Sequence, residues 1–149
     1  MDMDKVKTWS RRVAAALAVL WGGATAPALH AAEIVVGQVA PLTGVLASTG
    51  AQMVLGGKIY FDWVNAQGGV HGASIRQSVV DDAYKVADTV KATRELLAKP
   101  EVVALYGFAG TANITQLLFD GVLEQGGAAL VAPYTGGESL RNPFNPWIF

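Results

Sequence analysis

Tyr106-Gly107-Phe108-Ala109-Gly110-Thr111-Ala112-Asn113 is the stretch that decides the fold. It follows a short apolar run, Val102 to Leu105, and precedes an apolar-periodic segment that begins at Ile114. The order reads as strand, tight loop, helix start. In an open α/β sheet such a loop lies at the carboxyl edge of the strands, where the backbone N–H groups of a helix start and a nearby hydroxyl can meet an anionic group of a ligand.

Working outward, the same alternation repeats. Upstream, Glu33-Ile34-Val35-Val36-Gly37-Gln38-Val39 is a continuous apolar run of strand length, consistent with a buried parallel strand. The loop from Ala40 to Gly50 is long for a strand-to-helix connection, and long loops at this edge commonly serve a ligand. A helix is expected from Ala51, with Met53, Gly57, Tyr60 and Val64 on one stripe. Gly56 and Gly57 would let it approach the sheet closely, at some cost in helix propensity. Asn65 to Gly72 ends that helix with glycines free to adopt the left-handed cap conformation. The chain then enters the strand Ile75 to Val80, closed by Asp81-Asp82. A second helix is expected from about Val86 to Lys99, with Val86, Val90, Thr93 and Leu97 on one stripe and Pro100 as its stop.

Downstream of the central loop, Ile114, Leu118, Gly121 and Val122 mark a third helix ended by Gly126-Gly127. Ala128 to Ala132 reads as a fourth strand, Pro133 to Leu140 as another edge loop, and Pro146-Trp147-Ile148-Phe149 as the start of a fifth strand. Strands and helices alternate with no internal repeat, so right-handed crossovers should build a doubly wound parallel α/β sheet covered on both faces. An apolar terminal strand with nothing after it would leave an unprotected edge, and the expectation is a fragment of something larger.

Composition narrows the function classes. The chain has 149 residues, 52% hydrophobic and 15% charged, with a net charge of -1, which is a globular or exported chain of about one domain. Lys5, Lys7, Arg11 and Arg12 precede the apolar run Val13 to Trp21 and the small-residue zone Ala26 to Ala32. This is the pattern of a secretory signal peptide over residues 1–32, cleaved near Ala31 or Ala32 and directing the chain to the periplasm. A membrane anchor needs about 18–20 apolar residues, whereas this run is shorter and broken by Gly22-Gly23 and Pro27. Ser10-Arg11-Arg12 hints at a twin-arginine signal, but the aromatic and lysine that usually follow are absent, which favours general export. No basic run follows the first dozen residues, so no nucleic-acid partner is expected.

Enzyme chemistry has little to work with here. No phosphate-binding Gly-x-x-x-x-Gly-Lys-Ser/Thr loop, no Gly-x-Gly-x-x-Gly after the first strand and no Gly-x-Ser-x-Gly elbow occurs. Zero cysteines and two histidines, one of them in the leader, make catalytic triads, thiolate sites and multi-histidine metal sites hard to assemble. No catalytic residue, metal or cofactor is therefore expected. Asp81-Asp82 reads as capping the turn that follows, and His71 as an exposed turn residue. Thr111 reads either as a ligand-binding hydroxyl or as a helix N-cap, with Asn113 a rival cap. Tyr134 is either a pocket wall or a surface aromatic.

Together, Ile34 to Gly44, Gly50 to Tyr60, Asn65 to Gly72, Asp81-Asp82-Ala83 and Tyr106-Gly107 resemble the leucine/isoleucine/valine-binding family of periplasmic substrate-binding proteins for ABC transporters. The resemblance spans essentially Glu33 to Phe149. It implies a type I periplasmic binding fold of two α/β lobes closing on a ligand, of which residues 33–149 would be most of the first lobe, with strand order 2-1-3-4-5. It implies an amino acid or related small solute as ligand and a membrane permease as partner. Thr111 matches the Ser or Thr whose hydroxyl, with neighbouring backbone N–H groups, holds the ligand carboxylate, and Gly110 and Phe108 of the same loop are expected among the ligand-binding residues. In the second loop, Tyr134 and Thr135 stand where the family has two alanines, and Gly136 stands where its ammonium-binding Thr would be, so either Thr135 makes that contact with a one-residue shift or it is not made. Leu46 and Thr49 fall where the first loop lines the pocket, Thr49 replacing a usual aromatic. Two other readings stand beside this one. The same fold serves as an extracytoplasmic sensor of signalling receptors, and a nucleotide-using α/β enzyme is disfavoured by its missing motifs.

Overall fold

A computed structural model describes residues 32–149; the expected export signal lies outside the described residues. The elements follow the alternation read from the sequence: β1 (Glu33–Ala40), a 3-10 turn (Gly44–Leu46), α1 (Ala47–Ala66), β2 (Ser74–Asp81), α2 (Val86–Leu97), β3 (Val102–Tyr106), α3 (Thr111–Phe119), α4 (Val122–Gly126), β4 (Leu130–Val131) and a second 3-10 turn (Glu138–Leu140). The sheet order is β2-β1-β3-β4, and every pairing within it is parallel. Ile148 bridges to Leu130 in the same sense, with Phe149 N–H donating to Leu130 O at 3.0 Å and Ala132 N–H to Phe149 O at 2.7 Å. The last residues therefore take the fifth place, giving the expected order 2-1-3-4-5.

The core lies between one sheet face and α2, α3 and α4. Val35 and Val39 of β1, Leu105 of β3 and Leu130 of β4 meet Leu96, Ile114, Leu117, Val122 and Leu123 there. Ile114 and Leu117 are fully buried, each stabilising the fold by about 1.5–3 kcal/mol relative to exposure. On α2 the buried residues are Thr89, Ala92, Thr93 and Leu96. The expected stripe was right at Thr93, whereas Val86, Val90 and Leu97 are only half-buried at its flanks.

The other face is covered by α1, which meets the sheet through a glycine. A Cβ on Gly57 would sit 2.9 Å from Tyr106 Cε1 and 3.0 Å from Gln77 Nε2, and Phe61 packs edge-on against the Tyr106 ring at 5.4 Å. Gly56 faces open space instead, so only one of the two glycines brings helix and sheet together. Tyr60, placed by periodicity on the buried stripe, is 61% exposed and stacks on Trp63 at the surface. Coverage of this face also stops at Tyr106: its β4 partner Val131 remains exposed. Burial on both faces is thus complete only in the second half of β1, from Gly37 to Ala40, and partial for β4.

Three boundaries differ from the pattern for local reasons. Helix α1 begins at Ala47 rather than Ala51 and carries Gly50 against the first loop, where a Cβ would lie 2.0 Å from Pro41 O. The expected third helix is two helices, because Gly121 adopts φ 61 and breaks the ladder between α3 and α4. The fourth strand is only Leu130–Val131.

Candidate functional site

The carboxyl edge is assembled by backbone lacing between the loops after β3 and β4. Tyr134 N–H donates to Phe108 O at 2.7 Å, and Gly110 N–H donates to Tyr134 O at 3.1 Å. Below them, buried Gln38 of β1 donates from Nε2 to Gly107 O at 3.0 Å and accepts from Gln77 Nε2. Gly107, at φ 62, leaves the space that this amide fills: a Cβ there would meet Gln38 Nε2 at 2.9 Å. A glutamine inside an apolar strand thereby fixes the loop that leaves the neighbouring strand.

At the end of that loop Gly110 is the residue before α3, with φ 99 and no side-chain cap bond at this helix start. The ladder begins with Ile114 N–H to Gly110 O, so the amides of Thr111, Ala112 and Asn113 have no partner within the helix. The Thr111 hydroxyl lies 2.8 Å from that of Thr135, and Thr135 Oγ1 also accepts from Gly137 N–H at 3.1 Å. Capping is therefore not what Thr111 does. Nor does Asn113 cap: it is buried and donates to Thr89 Oγ1 at 2.7 Å.

An open cleft of about 490 Å³ lies over this helix start. Gly110 and Thr111 line it at the helix start, together with Pro133, Tyr134, Thr135 and Gly136 of the loop after β4 and with Leu46 and Tyr84. No charged side chain lines it. Five of the residues singled out in the sequence therefore converge: Leu46, Gly110, Thr111, Tyr134 and Thr135. Two do not. Phe108 is fully buried in the core, where an aromatic side chain flanked by Gly107 and Ala109 gains more by joining Leu105 and Ile114 than by facing water. Its part at the edge is its carbonyl. Thr49 is half-buried within α1 and is not among the cleft residues, because the early start of that helix moves it out of the loop.

Tyr84 was missed. It enters the cleft because the turn after β2 is held from below by the two aspartates: Asp81 Oδ1 accepts from Ala83 N–H at 2.8 Å, and Asp82 Oδ1 from Tyr84 N–H at 2.9 Å. The expectation that this pair caps the following turn holds. Asp81 does more, since it also binds the first loop: Thr43 Oγ1 donates to Oδ2 at 2.6 Å, and the amides of Leu42 and Thr43 donate to Oδ1 at 2.8 and 3.2 Å. The Thr43 hydroxyl, then the Ala83 amide, are the main reasons the Asp81 carboxyl is lowered from 3.8 to about 2. Asp82 is buried and accepts from the Thr89 hydroxyl at 2.6 Å. The only sequence signal for Tyr84 was its place just after a strand end at the ligand edge. His71, as expected, is an exposed turn residue.

The sequence model described as periplasmic binding protein matches residues 33–149. A substrate-binding periplasmic protein from Ralstonia solanacearum shares 39% identity and superposes with a TM-score of 0.74 over 78% of this chain and 32% of its own. An extracellular ligand-binding receptor from Verminephrobacter eiseniae shares 32% identity with a TM-score of 0.70 over 79% of this chain and 33% of its own. Among curated proteins, a Leu/Ile/Val-binding protein homolog from Brucella melitensis is 28% identical over 109 residues, 73% of this chain and 29% of that protein. The chain thus spans about a third or less of the length of these relatives. With a parallel sheet in the order expected of the type I fold and a family match over residues 33–149, the chain belongs to the periplasmic binding protein family.

Proposed function

We propose that the chain is the first lobe of an extracytoplasmic substrate-binding component of an ABC importer for amino acids or similar small solutes, and that it is exported by the signal sequence at its N-terminus, cleaved near Ala31 or Ala32. The observation that carries this reading is the Thr111 hydroxyl beside the unpartnered amides at the start of α3, at the floor of a cleft with uncharged walls. Such a floor favours an anionic group such as a carboxylate, and the walls offer hydroxyls and apolar surface rather than acids or bases. A binding role with no catalysis fits that inventory. The Leu/Ile/Val-binding names of the curated relatives support the amino-acid class.

In this reading Thr111 and the nearby amides hold the carboxylate, Gly110 gives backbone access, Leu46 and Tyr134 are walls, and Thr135 steadies Thr111. The ligand's ammonium finds no acidic partner among the cleft residues and is left to a second lobe, and the importer reading implies a membrane permease as partner. An open half-site buries little of a ligand, so the affinity of this lobe alone is low. A thermal-shift screen with amino acids and a nucleotide panel tests the reading, since a bound ligand stabilises by mass action. Stabilisation by branched-chain or aromatic amino acids is expected. A shift with a nucleotide and none with amino acids overturns it.

A further inference from the structure

We propose that Tyr84 is a specificity-determining wall of this cleft, the surface against which the apolar part of a bound ligand packs; the inference rests on the cleft's being the ligand site. Tyr84 lines the cleft together with Gly110, Thr111 and Tyr134, and its ring comes so near the helix start that a Cβ on Gly110 would lie 2.8 Å from Tyr84 Cε2. An aromatic thus stands directly beside the amides that take the ligand's charged end. A ligand anchored there places its next carbon atoms against this ring.

The backbone that carries the ring is tied by hydrogen bonds to α2 and α3. Ala83 and Tyr84 take φ 48 and 61, a strained conformation that non-glycine residues keep only when their surroundings impose it. Asp82 imposes it by accepting from Tyr84 N–H. Asp82 is in turn held by Thr89 of α2, and Thr89 by Asn113 in the first turn of α3. Asp82, Thr89 and Asn113 are 2%, 1% and 2% exposed, so this relay is a buried connection between the wall and the helix start it faces. The Asn113 amide that links them belongs to the helix whose first turn would bind the ligand. Wall and floor are therefore fixed relative to each other, which is the requirement for reading a ligand's size and shape rather than only its charge.

The test uses the full 149-residue chain, labelled with 15N and 13C, titrated with L-leucine and L-phenylalanine at millimolar concentration. The Gly110 and Thr111 amides are expected to shift, and intermolecular NOEs are expected between the Tyr84 ring protons and the L-phenylalanine ring in the unmutated chain. Tyr84→Phe should keep the affinity for L-phenylalanine, and Tyr84→Ala should weaken it about fivefold, the scale of an aromatic contact, with Leu105 and Ile114 resonances in place. Shifts at Gly110 and Thr111 without a Tyr84 NOE, or an unchanged affinity in a folded Tyr84→Ala chain, overturn the wall and leave the ligand site standing. No shift at Gly110 and Thr111 with either amino acid overturns the site, and the wall with it. Should Tyr84→Ala unfold, the NOE in the unmutated chain still decides.

Discussion

Thr111 and Thr135 face each other with their hydroxyl oxygens 2.8 Å apart. One sits in the first turn of α3 and the other in the loop after β4, so this side-chain contact adds to the backbone hydrogen bonds that join the two loops of the candidate site. In such a pair one hydroxyl donates to the other, and the second proton remains to be given to a ligand oxygen. The close approach is enforced by glycine, since a Cβ on Gly137 would stand 2.6 Å from Thr111 Cγ2.

Thr111→Val removes that hydroxyl at nearly constant volume. Binding of L-leucine, followed by the Gly110 amide shift, is expected to weaken about tenfold, as for loss of a hydrogen bond to a charged group. Thr111→Ser should retain it. Equal binding by the valine and serine variants would remove Thr111 from the site.

Asp81 ties Leu42, Thr43 and Ala83 together with its carboxylate at a pKa of about 2, below the usual 3.8. In the unfolded chain the proton binds at higher pH than in the folded one, so folding is favoured by the charged form. The contribution is complete above about pH 4 and fades as the pH falls towards 2. Asp81→Asn should lower the urea midpoint at pH 6, and the gap from the unaltered chain should close as the pH falls through that window. A gap that stays constant between pH 6 and pH 2 would show that charge plays no part.

The two adjacent glycines of α1 should respond with opposite sign. Gly56 meets nothing within 4 Å, so Gly56→Ala gains about 0.5–1 kcal/mol from helix propensity. Gly57→Ala presses on Tyr106 and Gln77 and is expected to cost about 1 kcal/mol or more through overpacking. Thermal midpoints of the two variants, one raised and one lowered, check the packing of α1.

Thr89→Val leaves the buried Asp82 carboxylate and the Asn113 amide each without a partner they have now. The expected loss is about 2–3 kcal/mol, measured by urea unfolding, compared with a small effect for Thr115→Val at an exposed site of α3. Similar small losses at both positions would show that the relay is dispensable.

Element identity was legible because it is local. Apolar runs of strand length between helical periods, stopped by Gly68-Gly69, Pro100 and Gly126-Gly127, are sufficient to name a parallel α/β sheet, and the chain carries them in order. Tyr60 shows the limit: periodicity marks a stripe, but how far that stripe is covered depends on which strands lie beneath it, and α1 reaches only as far as Tyr106. The lining of the candidate cleft was legible where the family's pattern is loop sequence, as at Leu46, Thr111, Tyr134 and Thr135.

The sequence by itself thus determined the alternation, the parallel sheet and the anion-ready start of α3, since each is set by residues near one another in the chain. Only the tertiary structure decided which side chains enter the cleft. It buried Phe108, drew Thr49 into a helix, turned Tyr84 inward on the support of Asp82, and set Thr111 against Thr135. The burial of Phe108, the pairing of Thr111 with Thr135 and the hold of Thr89 and Asn113 on Asp82 join residues far apart in sequence, and they exist only once the sheet has brought its loops to one edge.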